Sequence, residues 1–166
     1  EMRTAFARMG YPEGLPLGEL VDRAVREAGV MPLASSDDRD AARQEWQALV
    51  GDAEGRLDAA FGLRPSARLV VVTGLGGEYY APSSSDGSQP CRFHVGQSPD
   101  GQPRYMMRTI ASHEAVPGHH YQIGLAQELD LPDFRGDLNL TAFNEGWAVY
   151  AETLAWEAGY YEDDPY

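Results

Sequence analysis

The feature of this sequence that most limits its fold is HEAVPGHH, residues 113–120, which places a proline and a glycine between histidines. Two histidines that bind one zinc ion lie about 2.0–2.1 Å from it, so their nitrogens must come within about 3.3 Å of each other. Residues four apart on a helix are offset by about 40° and can converge in this way. The fourth residue after His113 is Pro117, however, and on a straight helix neither His119 nor His120 reaches the same ion as His113. A metal site here requires a distorted helix.

Pro117 and Gly118 are suited to produce that distortion. Proline removes the N–H that would bond the carbonyl of His113, and its ring clashes with that carbonyl. Glycine tolerates the backbone conformation that results. We therefore predict a two-residue bulge that brings His119 to the place of the missing fourth residue. This geometry favours His119 over His120 as the second ligand and leaves His120 as the alternative.

A catalytic zinc site of this type takes a carboxylate as its third protein ligand. The candidate is Glu145 in NEGWAVYAE, 26 residues after His119 on the next predicted helix. Glu114 follows His113 directly, where a general base that acts on water at the metal belongs. The prediction is one zinc ion held by His113, His119 and Glu145, with Glu114 as the catalytic residue.

Further polar and aromatic residues lie close to these positions in the sequence. Tyr121, Gln122 and Tyr150 are candidates for orienting a substrate. Glu152 follows Glu145 by seven residues, so both lie on one helix face, and a carboxylate there can support a ligand histidine through a hydrogen bond. A solvated surface position is the alternative for Glu152.

Hydrophobic periodicity predicts an α+β class that is mainly helical, with a small sheet in the middle of the chain. Ser36 is expected to cap the second helix. The motif positions fall on the later helices, so we expect one catalytic segment over 1–166, with helices over about 15–62, the sheet over about 68–96 and metal-site helices over about 103–158. The individual predictions are helices over 15–30, 35–62, about 103 onwards and 141–159, strands over 68–74 and 91–96, a short extended piece at 78–80 and a connector over 126–140.

The second strand, CRFHVG over 91–96, alternates between two faces, with Phe93 and Val95 on one and Arg92 and His94 on the other. It precedes the metal helix by a few residues. We expect it to be an edge strand that lines the cleft and pairs with an extended substrate backbone.

Composition limits the partners. The formal net charge is −13, and all 13 basic residues are arginine. This balance argues against a nucleic-acid partner, because phosphate contacts would have to overcome like-charge repulsion.

Cys91 is the single cysteine, so the chain forms no internal disulfide. No apolar run approaches the roughly 20 residues that span a membrane. The sequence does not indicate a compartment.

Two motifs, HEAVPGHHYQ and FNEGWAVYAE, closely resemble the bacterial family of unknown function numbered 885, which is similar to the gluzincin metallopeptidases. YYAP, DGS and RFHVG also resemble that family, and the similarity covers roughly residues 10–165. The resemblance implies a gluzincin-like pair of metal-binding helices and the same four site residues. Members of the family are several times longer, so this chain resembles a central segment. Gluzincins often carry an acid four residues after the ligand glutamate, whereas this chain has Val149.

Two classes of function follow. The first is a zinc-dependent hydrolase that acts on a peptide, or on another amide, through metal-activated water and a glutamate base. The alternative is a non-catalytic metal- or peptide-binding module, or a partner subunit whose cleft is completed by another chain or by missing segments. The intact Glu114 favours the hydrolase, and the short length favours the module.

Overall fold

The structure is a computed structural model that describes residues 2–57, 60–74, 76–84, 88–129, 132, 135 and 140–162. Helices dominate and a small sheet lies in the middle of the chain, so the predicted α+β class is confirmed. Most of the predicted connector over 126–140 and two residues at the end of the predicted helix over 35–62 lie outside the described residues. No helix in the described part of the chain is long and apolar enough to cross a membrane.

The four predicted helices are observed within a few residues of their predicted bounds, whereas the short helix over 2–8 was not predicted. The long helix α3 (Ser36–Leu57) begins one residue earlier than its predicted cap implies. Its cap is Ser35 and not Ser36, because the Ser35 hydroxyl accepts a hydrogen bond from the main-chain N–H of Asp38 at 3.0 Å. The Asp38 carboxylate accepts the N–H of Ser35 in return at 2.9 Å, which satisfies two donors at the helix start. The helices are α1 (Met2–Arg8), α2 (Leu17–Ala28), α3 (Ser36–Leu57), α4 (Met107–Ile110), α5 (His119–Glu128) and α6 (Thr141–Glu157).

Three strands form the main sheet in the order β2 (Leu69–Thr73), β4 (Cys91–Val95), β3 (Tyr79–Ala81). β2 and β4 are parallel, and β3 is antiparallel to β4, with Tyr80 opposite Phe93. A separate antiparallel pair joins β1 (Val30–Met31) to β5 (Gln102–Pro103).

The prediction that 91–96 forms an edge strand is wrong. β4 lies in the centre of the sheet, and both of its edges are paired within the chain. Cys91, Phe93 and Val95 are buried on its inner face, as the alternation predicts. Alternation reports which face of a strand is buried, but it does not report how many neighbours the strand has. The short β3 occupies an edge instead.

The core lies between the inner face of the sheet and α3. Phe93 packs edge-to-face on Trp46 of α3, with ring centroids 5.2 Å apart. Met107, Ala111 and Ala115 extend this core into the chain segment after β5. The small alanine side chains let the segment lie close to the sheet. The core thereby fixes the position of the HEAVPGHH motif.

The motif is divided between two helical pieces. A 3₁₀ turn (Arg104–Met106) leads into α4, and a wide π turn (Ala111–Ala115) follows it directly. The chain then leaves the helix over 116–118, where the Val116–Pro117 peptide is cis, and α5 begins at His119. The predicted distortion is therefore a break between two helices and not a bulge within one. At position 118 a β-carbon would overlap the carbonyl oxygen of His113, which explains the glycine there.

Candidate metal centre

Three consecutive elements bring the candidate site together. The π turn carries His113 and Glu114, the first residue of α5 is His119, and the facing side of α6 carries Glu145. Wide π turns occur frequently at functional sites because they rotate side chains away from the regular helical positions. Here the wide turn and the break together change the relative direction of His113 and His119.

Trp147 holds the break against α6. Its indole N–H donates to the carbonyl oxygen of Pro117 at 2.8 Å and lies 3.2 Å from that of Gly118. The Gly118 carbonyl also accepts the N–H of Gln122 at 3.2 Å, so the indole chiefly supplies a donor to the Pro117 carbonyl, and a buried carbonyl without a donor is costly. Trp147 lies two residues after Glu145, so this contact also fixes the position of Glu145 relative to the two histidines.

The two histidines and Glu145 converge. The Nε2 atom of His113 lies 3.3 Å from Oε2 of Glu145, and Nε2 of His119 lies 3.6 Å from Oε1 of the same carboxylate. The two imidazole rings are perpendicular, at 89°, with centroids 5.0 Å apart. Ligand atoms about 2.0–2.2 Å from a tetrahedral zinc ion are separated by about 3.3–3.6 Å. Each of the two contacts with Glu145 lies within this range, and the two contacts are made to different oxygens of the carboxylate.

Glu114 is a second carboxylate beside the same histidines. Among the described residues, His113, Glu114 and His119 offer ligand atoms that all lie within 4.8 Å of one another. Glu114 Oε2 is 3.9 Å from His119 Nε2, which is farther than either Glu145 contact. The same oxygen accepts the main-chain N–H of Tyr80 at 2.9 Å. The contact with edge strand β3 thus fixes the Glu114 carboxylate from the side opposite α6.

Burial raises the pKa of Glu114 to about 6, although the neighbouring His113 and the N–H of Tyr80 act in the opposite direction. Burial also lowers the pKa of His119, so this imidazole is held neutral, the state that binds metals. A carboxyl group with its pKa near the working pH is suited to accept and release a proton.

Glu152 lies on the same face of α6 as Glu145, as the seven-residue spacing predicts. Its Oε1 is 2.8 Å from Nδ1 of His113. With Nδ1–H donated to this carboxylate, the Nε2 atom of His113 carries the free lone pair and faces Glu145. Glu152 therefore orients His113, and its side chain is 31% exposed rather than fully solvated.

His120 lies in different surroundings from its neighbour. The side chain is buried, and its Nδ1 lies 3.3 Å from the hydroxyl of Tyr80. Burial lowers the pKa of His120 to about 4. The structure therefore brings His119, and not His120, next to His113 and Glu145.

The three residues expected to orient a substrate are not brought together. Tyr121 is buried in the core and packs edge-to-face on Phe61, with centroids 5.1 Å apart. Gln122 is half-buried, and its Oε1 has no hydrogen-bond partner. Tyr150 is 53% exposed on α6. These residues were chosen because they lie close to the motif in the sequence. The direction in which each side chain leaves its helix decides its surroundings, and for Tyr121 this direction is towards the core.

Sequence reasoning missed the contribution of Tyr80. Its main-chain N–H reaches Glu114 and its hydroxyl reaches His120, so one residue connects β3 to both parts of the motif. Every residue except proline has a main-chain N–H, so the type of residue at position 80 does not indicate that its N–H reaches Glu114. The motif YYAP predicted only a short extended piece. That piece is observed as Tyr79–Ala81, one residue later than predicted.

The fold and site define a mainly helical α+β protein with a His/Glu cluster on a broken helix and its neighbour. The chain belongs to the family DUF885, described as bacterial protein of unknown function, whose sequence model matches residues 1–166. The family resemblance is therefore confirmed, and the relationship to gluzincins stays a prediction.

A solved structure gives the scale of the relatives. The chain is similar to the crystal structure of the "putative lipoprotein" from Colwellia psychrerythraea, with 28% identity and a TM-score of 0.85. The similarity covers 99% of this chain and 29% of that chain, so the 166 residues span less than a third of that relative's length. No curated protein matches the sequence.

Proposed function

We propose that this chain carries the metal site of a zinc-dependent hydrolase that cleaves peptide bonds. The observation that supports the proposal is the convergence of His113 Nε2 and His119 Nε2 on the carboxylate of Glu145, at 3.3 and 3.6 Å. The resemblance of both motifs to gluzincin metallopeptidases points to the same class of reaction.

The donor set fits zinc. Two imidazole nitrogens and one carboxylate are the protein ligands of a well-known type of catalytic zinc site, which keeps a fourth position open for water or substrate. Calcium and magnesium prefer oxygen ligands, so two histidines argue against either ion. Glu152 supplies the outer hydrogen bond that a ligand histidine normally makes.

Two carboxylates compete for the third ligand position, and Glu145 is favoured over Glu114. Glu145 contacts both Nε2 atoms, whereas Glu114 is farther from His119 and has one oxygen engaged with Tyr80. The Glu114 carboxylate is therefore not needed as a metal ligand. In this proposal Glu145 binds the metal and Glu114 transfers the proton.

A zinc ion bound here would acidify water and polarise the carbonyl group of a substrate. Glu114 accepts a proton from the attacking water and then delivers it to the leaving nitrogen as the amide bond breaks. Its raised pKa lets the same carboxyl group act as base and then as acid near neutral pH. The N–H of Tyr80 keeps the carboxylate in position through both transfers.

The experiment compares the parent protein with Glu114→Gln, in the longest gene product that contains these residues. Glutamine nearly preserves the shape of the side chain and can still accept the Tyr80 N–H, but it does not accept the proton. We expect zinc content to be unchanged and hydrolysis of a broad peptide library to fall by about 10²–10⁴-fold.

Glu157→Gln is the matched control, because Glu157 is an exposed glutamate at the end of α6. Equal hydrolysis by parent and Glu114→Gln, with zinc bound in both, would remove Glu114 from the mechanism. Zinc binding without hydrolysis of any peptide by the parent would favour the binding module. A parent that binds no zinc would contradict the metal site itself.

A further inference from the structure

The outer surface of α6 is apolar, and its large side chains are exposed in the part of the chain that the structure describes. Phe143, Val149, Tyr150 and Trp156 are 59%, 56%, 53% and 61% exposed, in that order. The opposite side of the same helix is fully packed, because Ala148, Ala151 and Ala155 are buried against the rest of the protein.

These exposed residues form one face and are not scattered. At 100° per residue, the positions from Trp156 through Val149, Ala142, Thr153, Gly146 and Tyr150 to Phe143 span about 140° of the helix surface. All of them are exposed. Glu157 is the single charged residue within this sector. We call this surface the outer face of α6.

A helix with apolar residues on two opposite faces is typical of a helix that is covered on both of those faces. Soluble proteins seldom leave a continuous apolar surface of this kind open to water, and such surfaces usually mark an interaction site. The small residues Ala142 and Gly146 on the outer face would allow a second helix to approach closely. The face extends from Ala142 to Trp156, about 21 Å at 1.5 Å per residue, which matches the length of an ordinary helix.

The relative of known structure indicates the source of the covering element. Nearly all of this chain superposes on 29% of that protein, so most of the relative lies outside the matched region. A cover from the same polypeptide needs no second molecule and loses no translational freedom on packing.

We propose that the outer face of α6 is covered by a helical segment of the same polypeptide that lies outside residues 1–166. This segment borders the candidate metal centre, because Glu145 lies next to Val149 on the helix, about 40° away. The Glu145 side chain is 53% exposed here and faces the solvent on that side. The covering helix thus forms one wall of the cleft in which a substrate meets the site.

The test uses Val149→Cys in the longer gene product, with reaction of a maleimide as the readout. Val149 is not one of the candidate ligands, and cysteine is close to valine in size. Cys91 is buried, so the parent gives the background rate. Gln44→Cys is the control, because Gln44 is exposed on α3, a separate helix. We expect Val149→Cys to react at least about tenfold more slowly than Gln44→Cys, and equally fast after unfolding in urea.

A photo-crosslinking side chain at position 149 then identifies the covering segment. Crosslinks to residues beyond 1–166 of the same molecule support the proposal. Crosslinks between two copies, or to the connector over 126–140, overturn it, as does reaction of Val149→Cys as fast as the control. None of these measurements requires zinc or hydrolysis, so their outcome is independent of the proposed function.

Discussion

At the scale of single residues, the site depends on which nitrogen of each histidine is free. The Nδ1 atom of His113 lies next to Glu152, and its Nε2 atom therefore points to Glu145. The adjacent histidines 119 and 120 begin the same helix, but about 100° of rotation separates them. One faces the carboxylates and the other lies under the hydroxyl of Tyr80.

The two adjacent histidines should therefore differ in their effect on zinc. We expect His119→Ala to lower zinc affinity by more than about 100-fold, since the loss of a ligand exceeds the loss of an outer hydrogen bond. His120→Gln should keep zinc affinity within about threefold of the parent, because its contact is to Tyr80. Chelator competition measures both. The opposite order of effects would show that His120 is the ligand.

Glu152 offers a test of how His113 is oriented. Glu152→Gln weakens the hydrogen bond to Nδ1 without removing a ligand, so zinc affinity should fall by about 10–100-fold. Glu157→Gln, on the same helix but without a contact to His113, should leave the affinity unchanged. If both variants bind zinc as the parent does, Glu152 is a solvated surface residue, as the alternative interpretation of the sequence has it.

At the scale of elements, α5 is fastened at both ends. Trp147 of α6 bonds the carbonyl groups just before its first residue. At the other end, Glu128 accepts hydrogen bonds from the N–H and hydroxyl of Ser66 and the N–H of Ala67, at 2.6, 2.9 and 3.2 Å. These contacts join α5 to the chain segment that leads into β2. The orientation of His119 follows from the orientation of this helix.

The attachment through Glu128 should depend on pH. Loss of hydration acts to raise the pKa of Glu128, but the hydrogen bonds from Ser66 and Ala67, together with the nearby His120, outweigh it and lower the pKa below 4.5. A carboxyl group with a lowered folded-state pKa stabilises the fold above its unfolded pKa and loses this effect as the pH falls through the folded value. The stabilisation is therefore complete at pH 7 and is lost as the pH falls below 4.5 through the lowered folded-state pKa.

Glu128→Gln measures this effect. The side chain is exposed and solvent screens it, so we expect a loss of about 1 kcal/mol at pH 7, or about 3 °C in Tm. The difference from the parent should shrink as the pH falls below about 4.5. Glu13→Gln, an exposed residue in a loop, is the control and should show no such pH dependence. A constant difference across the whole range would contradict the role of the charge.

At the scale of the whole molecule, the two proposals assign the candidate ligands and one wall of the cleft to different parts of the polypeptide. The histidines and both carboxylates lie on the π turn, α5 and α6, and the core of sheet and α3 holds these elements in place. The similar solved structure is more than three times as long as the matched region, since the similarity covers 29% of that chain. The two proposals together therefore predict that metal binding and substrate binding are separable.

This separation predicts different behaviour for two gene products. The 166-residue chain should bind zinc with an affinity within about tenfold of the longer protein, because all proposed ligands are present. Its peptide hydrolysis should be lower by at least about tenfold, because contacts with remote parts of a substrate contribute to the rate. Titration calorimetry and peptide digestion measure the two quantities. Equal hydrolysis by both would mean that the 166 residues form the whole cleft.

The sequence by itself determined the helices and the family. Helix bounds follow from side-chain periodicity and from capping within a few residues, so local rules suffice for them. The proline and glycine after His113 predicted a distortion at the correct place, since both residues act on the adjacent backbone. The seven-residue spacing placed Glu145 and Glu152 on one face of α6, where both contact His113.

Only the tertiary structure decided the features that depend on residues distant in the chain. β4 is the central strand because β2, about 20 residues earlier in the chain, pairs with the edge of β4 that β3 leaves free. No pattern within 91–96 encodes that pairing. The contact of the Tyr80 N–H with Glu114 spans 34 residues, and the contact of Trp147 with the break spans 30. Such contacts arise when the elements pack on a common core, and packing fixes the separation and rotation of elements that the local sequence leaves free.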